Sequence, residues 1–209
     1  MLVTSTLSFT YDNQRVFNYP EIKCARGEQL LIYGNSGSGK STLLHLLAGF
    51  IQPSSGSIKI DNVDITQLKY RNLDKYRGKK IGFIPQKFHF IPSLNVRDNI
   101  MAASFFANSP ADYSHLKLIS DTLEITHLLD RKPRNLSFGE QQRACIARAI
   151  INSPAVILAD ERTSSLDDRN TENVMLLLDR VYKLDNSSLI VVSHDERIKS
   201  RIHQHILMK

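Results

Sequence analysis

Only two cysteines occur in the 209 residues, Cys24 and Cys145, and they lie far apart in the chain. Neither sits in a C-x-x-C pair or beside a histidine pair. This speaks against a disulfide framework and a thiolate metal site, and for buried thiols in a reducing compartment. Long apolar runs are missing too. The longest, over residues 43–51, falls far short of the ~18 residues that would span a bilayer. The start has no basic segment followed by an apolar one, so nothing there reads as a signal peptide. A cytoplasmic chain without direct membrane insertion is therefore expected, and any membrane it serves must be spanned by another chain. No repeat or low-complexity tract is present. The formal net charge is +6, from 27 basic and 21 acidic residues. The basic residues are scattered, with small clusters at 77–80 and 131–134, and no stripe of cations interleaved with aromatics appears. That pattern fits a solvated surface with one phosphate site, and no nucleic-acid partner is expected.

What is present suits a single α/β domain. Residues 6–11 alternate as a strand does, and 29–33 form a short apolar run suited to a strand buried on both faces. A glycine-rich loop follows, then helical spacing over 40–50. Strand, loop and helix in that order open a βαβ unit. Further strands are read at 56–60, 81–84, 155–159 and 188–192, and helices at 137–152 and 171–183. Residues 87–135 hold Pro92, Pro110 and Pro133 and read as helical between them. The expected division is a core of 1–86 and 153–209 with a helical lobe at 87–152.

Three segments carry chemistry. Gly34, Asn35, Ser36, Gly37, Ser38, Gly39, Lys40 and Ser41 match G-x-x-x-x-G-K-[ST], with Thr42 next. Glycines let the backbone curl so that successive N–H groups face phosphate oxygens, and the following helix turns its positive end to the same anion. Lys40 is expected to reach the β- and γ-phosphates of ATP, and the Ser41 hydroxyl to ligate Mg²⁺. The apolar run 156–159 ends in Asp160 and Glu161. Beside a phosphate loop, Asp160 suits Mg²⁺ and Glu161 suits a general base on the attacking water. In 136–143, Ser137 with Glu140 three residues on forms a capping box that starts a helix.

That last segment also resembles the signature motif of ABC ATPases, usually written LSGGQ, and the likeness extends over nearly the whole chain. Gln86 resembles the Q-loop glutamine, which in that family approaches Mg²⁺ and the water. Residues 164–167, with Ser165 and Asp167, resemble the D-loop at the dimer interface. His194 resembles the histidine that contacts the γ-phosphate, and Tyr11 the aromatic that stacks on adenine. The resemblance implies an α/β P-loop NTPase fold: a largely parallel core sheet, an N-terminal antiparallel β portion and an inserted helical subdomain. It implies that two copies, or two paired ABC subunits, sandwich ATP, with Ser137, Gly139 and Glu140 acting in trans. It further implies a transmembrane permease as partner, and hence a place on the inner face of the membrane. Residues 64–68, 77–82, 96–100 and 158–161 are similar to the branch serving lipoprotein release, macrolide export and FtsE-type cell division.

Two positions depart from the family. Phe138 replaces a glycine of the signature, so its ring must point away from phosphate. Arg162 replaces the proline after Glu161, and a cation there favours the ionised carboxylate. Two other readings are open. One is a regulatory subunit of a non-transporting membrane complex. The other is a nucleic-acid-associated ABC ATPase, which the single cassette and short intervening segments oppose. A small-molecule kinase would have no use for the signature segment.

Overall fold

The computed structural model describes residues 1–11, 15–160, 168–193 and 196–208. Among the described residues, five parallel strands form the central sheet: β5 (Gln29–Gly34), β8 (Ile81–Ile84), β9 (Val156–Asp160), β10 (Ser188–Ser193) and β11 (Gln204–Met208), in the order β11-β5-β10-β9-β8. The apolar runs arise because both faces are covered. In β5, β9 and β10, Leu31, Ile157, Ala159, Leu189 and Val191 enter one core. Their neighbours Leu30, Ile32, Val156, Leu158, Ile190 and Val192 enter the other. A two-residue period thus serves two cores at once.

The second core is closed by α1 (Lys40–Leu47) and by antiparallel β structure. There, β1 (Leu2–Thr4), β4 (Lys23–Cys24), β6 (Ile58–Ile60) and β7 (Val63–Asp64) pair in the order β4-β1-β6-β7. The hairpin of β2 (Leu7–Tyr11) and β3 (Arg15–Tyr19) stands beside them. Burial pushes the Cys24 thiol up to about 11, which makes it a poor nucleophile. Both cysteines are buried, and neither is in a disulfide among the described residues.

The first core is closed by α3 (Val96–Phe106), α4 (Tyr113–Thr122), α5 (Phe138–Ile150) and α6 (Asp168–Leu184). Asn95 and Asp112 cap α3 and α4 by accepting from the backbone N–H groups of Asp98 and His115. Between the two β regions runs α2 (Tyr70–Lys80), of whose side chains only Leu73 is buried. No helix among the described residues is long and apolar enough to cross a membrane.

His115 ties α4 to the elements around it. Its Nε2 lies 3.5 Å from Asp185 Oδ2, just past α6, and 3.3 Å from Ser153 Oγ, just past α5. Its pKa is raised, first by the bond to Asp185, then by the Asp185 charge, the Ile150 carbonyl and Asp112, against the opposing effect of burial. A histidine raised in the folded state stabilises fully below its unfolded value of about 6.5, and this is lost as pH rises through the folded value. Wild type should therefore melt above His115→Gln by a larger margin at about pH 6 than at about pH 9. Equal margins at both would show that the proton does not hold this contact.

Candidate nucleotide-binding site

The phosphate-loop segment lies between the carboxyl end of β5 and the first turn of α1. Gly39 is the N-cap of α1, with φ of 89°. A Cβ there would stand 2.7 Å from Phe17 Cδ1 and 3.0 Å from Tyr19 Oη. Tyr19 Oη also donates to the Gly39 carbonyl at 3.3 Å. The β2–β3 hairpin therefore buttresses the loop from below, and only glycine fits between them. α1 has no side-chain cap, so its first N–H groups are left to bind an anion.

Lys40 curls back over the loop. Its Nζ donates to the carbonyls of Gly34 at 2.8 Å and Asn35 at 2.7 Å. Burial lowers its pKa, and the charge of Asp160 opposes that effect. Ser38 is buried, and its Oγ has no hydrogen-bond partner. A buried hydroxyl left unpaired beside the uncapped first turn of α1 is what an anionic ligand would satisfy. Asn35, Ser36, Gly37 and Ser41 are exposed on the same loop, and Thr42 is half-buried. Tyr11 ends β2, half-exposed, with its Oη 3.3 Å from Thr42 Oγ1 and its ring edge-on to Phe9.

Asp160 is the last residue of β9, and Gln86 is exposed two residues beyond β8. Val192 of β10 is level with both Ile32 of β5 and Asp160 of β9. Asp160 is thus about two strand spacings, ~10 Å, from the root of the loop. All these strands are parallel, so their carboxyl ends share one edge of the sheet, where a strand reversal opens a crevice. Ser41, Asp160 and Gln86 offer oxygen donors of the hard kind that Mg²⁺ takes.

The signature-like segment is elsewhere on the fold, at the start of α5. Ser137 is its N-cap, and the capping box is complete. Glu140 Oε2 accepts from the Ser137 N–H at 2.7 Å and from its Oγ at 2.8 Å, while the Glu140 N–H donates back at 3.4 Å. Those Ser137 bonds hold the Glu140 carboxyl below the usual carboxylate range. Gly139 is exposed, and a Cβ there would meet nothing within 4 Å. Phe138 is 58% exposed, with its ring turned onto Phe88, 5.1 Å away. Glu161, Arg162, Ser165, Asp167 and His194 lie outside the described residues. Sequence reasoning missed the Phe17–Tyr19 buttress and Phe88. Each is an ordinary apolar position in sequence, and only tertiary packing gives it a role.

Comparison with known proteins identifies the family. The ABC transporter family matches residues 17–164. The lipoprotein-releasing system ATP-binding protein LolD of Colwellia psychrerythraea is 36% identical over 194 residues, covering 92% of this chain and 75% of that protein. An uncharacterized ABC transporter ATP-binding protein of Bacillus subtilis, YvcR, is 35% identical, covering 100% of this chain and 84% of its own length. Among solved structures, the dimeric bacterial ABC transporter cassette MJ0796 superposes with a TM-score of 0.86 at 32% identity, covering 100% of this chain and 94% of that one. A second dimeric structure of MJ0796, in a post-hydrolysis state bound to ADP and Pi, matches equally.

Proposed function

Since this chain belongs to the ABC transporter family as an ATP-hydrolysing subunit, we propose that two copies close around two ATP molecules and drive a membrane-spanning partner. The phosphate loop with Lys40 folded over it, Nζ 2.8 and 2.7 Å from its carbonyls, carries this reading. An arriving triphosphate takes the place of those two carbonyls, and the ammonium turns to the β- and γ-oxygens. The Gly34–Thr42 segment grips the phosphates in cis, and Tyr11 flanks the base. Mg²⁺, held by Ser41, Asp160 and Gln86, would offset charge on the β- and γ-oxygens.

In trans, the exposed N-terminus of α5 approaches the γ-phosphate of the other copy. Ser137 and Gly139 supply backbone donors and a helix positive end. Glu161 takes a proton from water, whose oxygen bonds to the γ-phosphorus. The bond from that phosphorus to the β–γ bridging oxygen breaks, and its electron pair leaves with ADP. His194 holds the γ-phosphate, and Ser165 and Asp167 face the partner copy. Loss of the γ-phosphate removes the trans contacts and opens the pair, a two-state element biased by its ligand. The helical lobe at 87–152 and Gln86 pass this motion to a transmembrane permease. The chain thus works on the inner face of the membrane without entering it. The similarity to LolD supports a partner of the lipoprotein-releasing type.

Glu161→Gln should form a dimer by light scattering when ATP is added and only then, and adding Ser137→Arg should abolish it. A monomer with ATP demonstrably bound would remove the sandwich from this reading.

A further inference from the structure

The residue that most sets this chain apart from its family's signature is Phe138, and its ring is engaged. It packs 5.1 Å from Phe88 at an interplanar angle of 48°. Phe88 lies two residues after Gln86 and stands 6.4 Å from Phe90. From farther along α5, the Arg148 guanidinium lies 5.1 Å over the Phe90 ring. It also donates to the carbonyls of Phe88 at 2.5 Å and His89 at 2.9 Å. His89, between the two rings, is in the left-handed region with φ of 42°, a conformation that neighbouring contacts must hold in place. One helix therefore grips the 86–90 segment twice, at its first turn through Phe138 and ten residues, or ~15 Å, later through Arg148. A glycine at 138 would leave only the second grip.

We infer that Phe138 is a positioning residue that couples the two ATP sites of the dimer. The inference rests on the sandwich reading above. In that reading, Gln86 serves the nucleotide held by its own chain, whereas Ser137 and Gly139 serve the nucleotide held by the other. The tilted Phe138–Phe88 ring contact joins those two groups within one subunit. When γ-phosphate orders Gln86 in one site, the ring contact carries the displacement to the signature turn that completes the second site. Arg148 anchors the 86–90 segment to the body of α5, and Phe138 adds the contact at the signature turn itself. The coupling acts through ring contact, and tyrosine at 138 preserves it.

The test is the ATP dependence of steady-state hydrolysis. Wild type should show a Hill coefficient approaching about 2, the number of sites. Phe138→Ala and Phe88→Ala should each lower it toward about 1, and the double variant should lower it no further, because both remove one contact. Phe138→Tyr should restore it. Binding of a fluorescent ATP analogue to the monomer should stay at the wild-type value in both single variants. Phe138→Ala, at a 58% exposed position, should also melt like wild type, whereas Phe88→Ala should melt lower because Phe88 packs against the first core. Effects of the two alanine variants that add, or single variants that keep full cooperativity, would overturn the proposal. So would an active wild type without cooperativity. The sandwich reading is judged separately, by the ATP-trapped dimer of Glu161→Gln.

Discussion

Lys40→Ala should lose about two to three orders of magnitude of steady-state ATP hydrolysis, the usual loss when one preorganised donor to developing charge is removed. It should melt within about 1 °C of wild type, as do surface changes that break no buried network. The two halves have one cause. Lys40 is not part of either core, and among the described residues its ammonium bonds to the carbonyls of Gly34 and Asn35. Burial already disfavours its charge, and the Asp160 carboxylate opposes that. Holding the cation in place thus costs the free protein stability, and removing it costs the fold little. The cation recovers its value when phosphate oxygens replace the carbonyls. Lys40→Arg should not rescue activity, because a planar fork cannot follow the path of a compact ammonium on a flexible stem. Phosphate release in a coupled assay checks the first half and thermal melting the second. Retention of more than about a tenth of the rate would mean that the loop N–H groups alone hold the transferred phosphoryl group.

Much of this site was legible because its signals are local. The G-x-x-x-x-G-K-S spacing, the apolar run before it and the helical spacing after it need no partner to be read. β8 falls on residues 81–84 as its apolar run predicts, and the Ser137/Glu140 pair does cap α5. Boundaries shifted where chain reversals intervene. The first helix was expected to reach residue 50 but ends at Leu47, because Gly49 turns into the left-handed region with φ of 67°. The strand expected over 56–60 is paired only over Ile58–Ile60. α2 went unread because a helix with one buried residue, and with an N-cap lysine that makes no side-chain bond, offers neither an apolar stripe nor a start signal. Sheet order was not legible at all. β5 pairs with β10 and β11, more than 150 residues later, and the identity of a buried strand's neighbours is not encoded in a run that is apolar on both faces. The capping box at Ser137 reads the same whether or not a second subunit faces it. The likeness of the whole ordered set of motifs, and the dimeric relatives, support reading it as part of a site rather than as a helix start alone.

Gly82→Val should destabilise the protein by about 1–3 kcal/mol, the usual cost of forcing extra atoms into a packed core. At this chain length that lowers the melting temperature by about 2–4 °C per kcal/mol. Local preference argues the other way, since valine favours strands and glycine does not. The loss must therefore come from packing. A Cβ on Gly82 would stand 2.5 Å from the Ala149 carbonyl oxygen and 3.0 Å from Pro154 Cγ. The first is backbone of α5 and cannot rotate away, so β8 and α5 must separate. β8 leads to Gln86 and α5 begins beside Ser137, so this separation disturbs the same register that Phe138 and Arg148 hold. The phosphate loop should be spared, because β8 is at the far side of β9 and β10 from β5. Binding of a fluorescent ATP analogue should then match wild type, while hydrolysis and the ATP-dependent dimer weaken together. Full activity in a clearly destabilised Gly82→Val would show that α5 can shift on β8 without moving the signature turn. A rigid β8–α5 unit, and with it the transfer of motion from one site to the other, would then have to be given up.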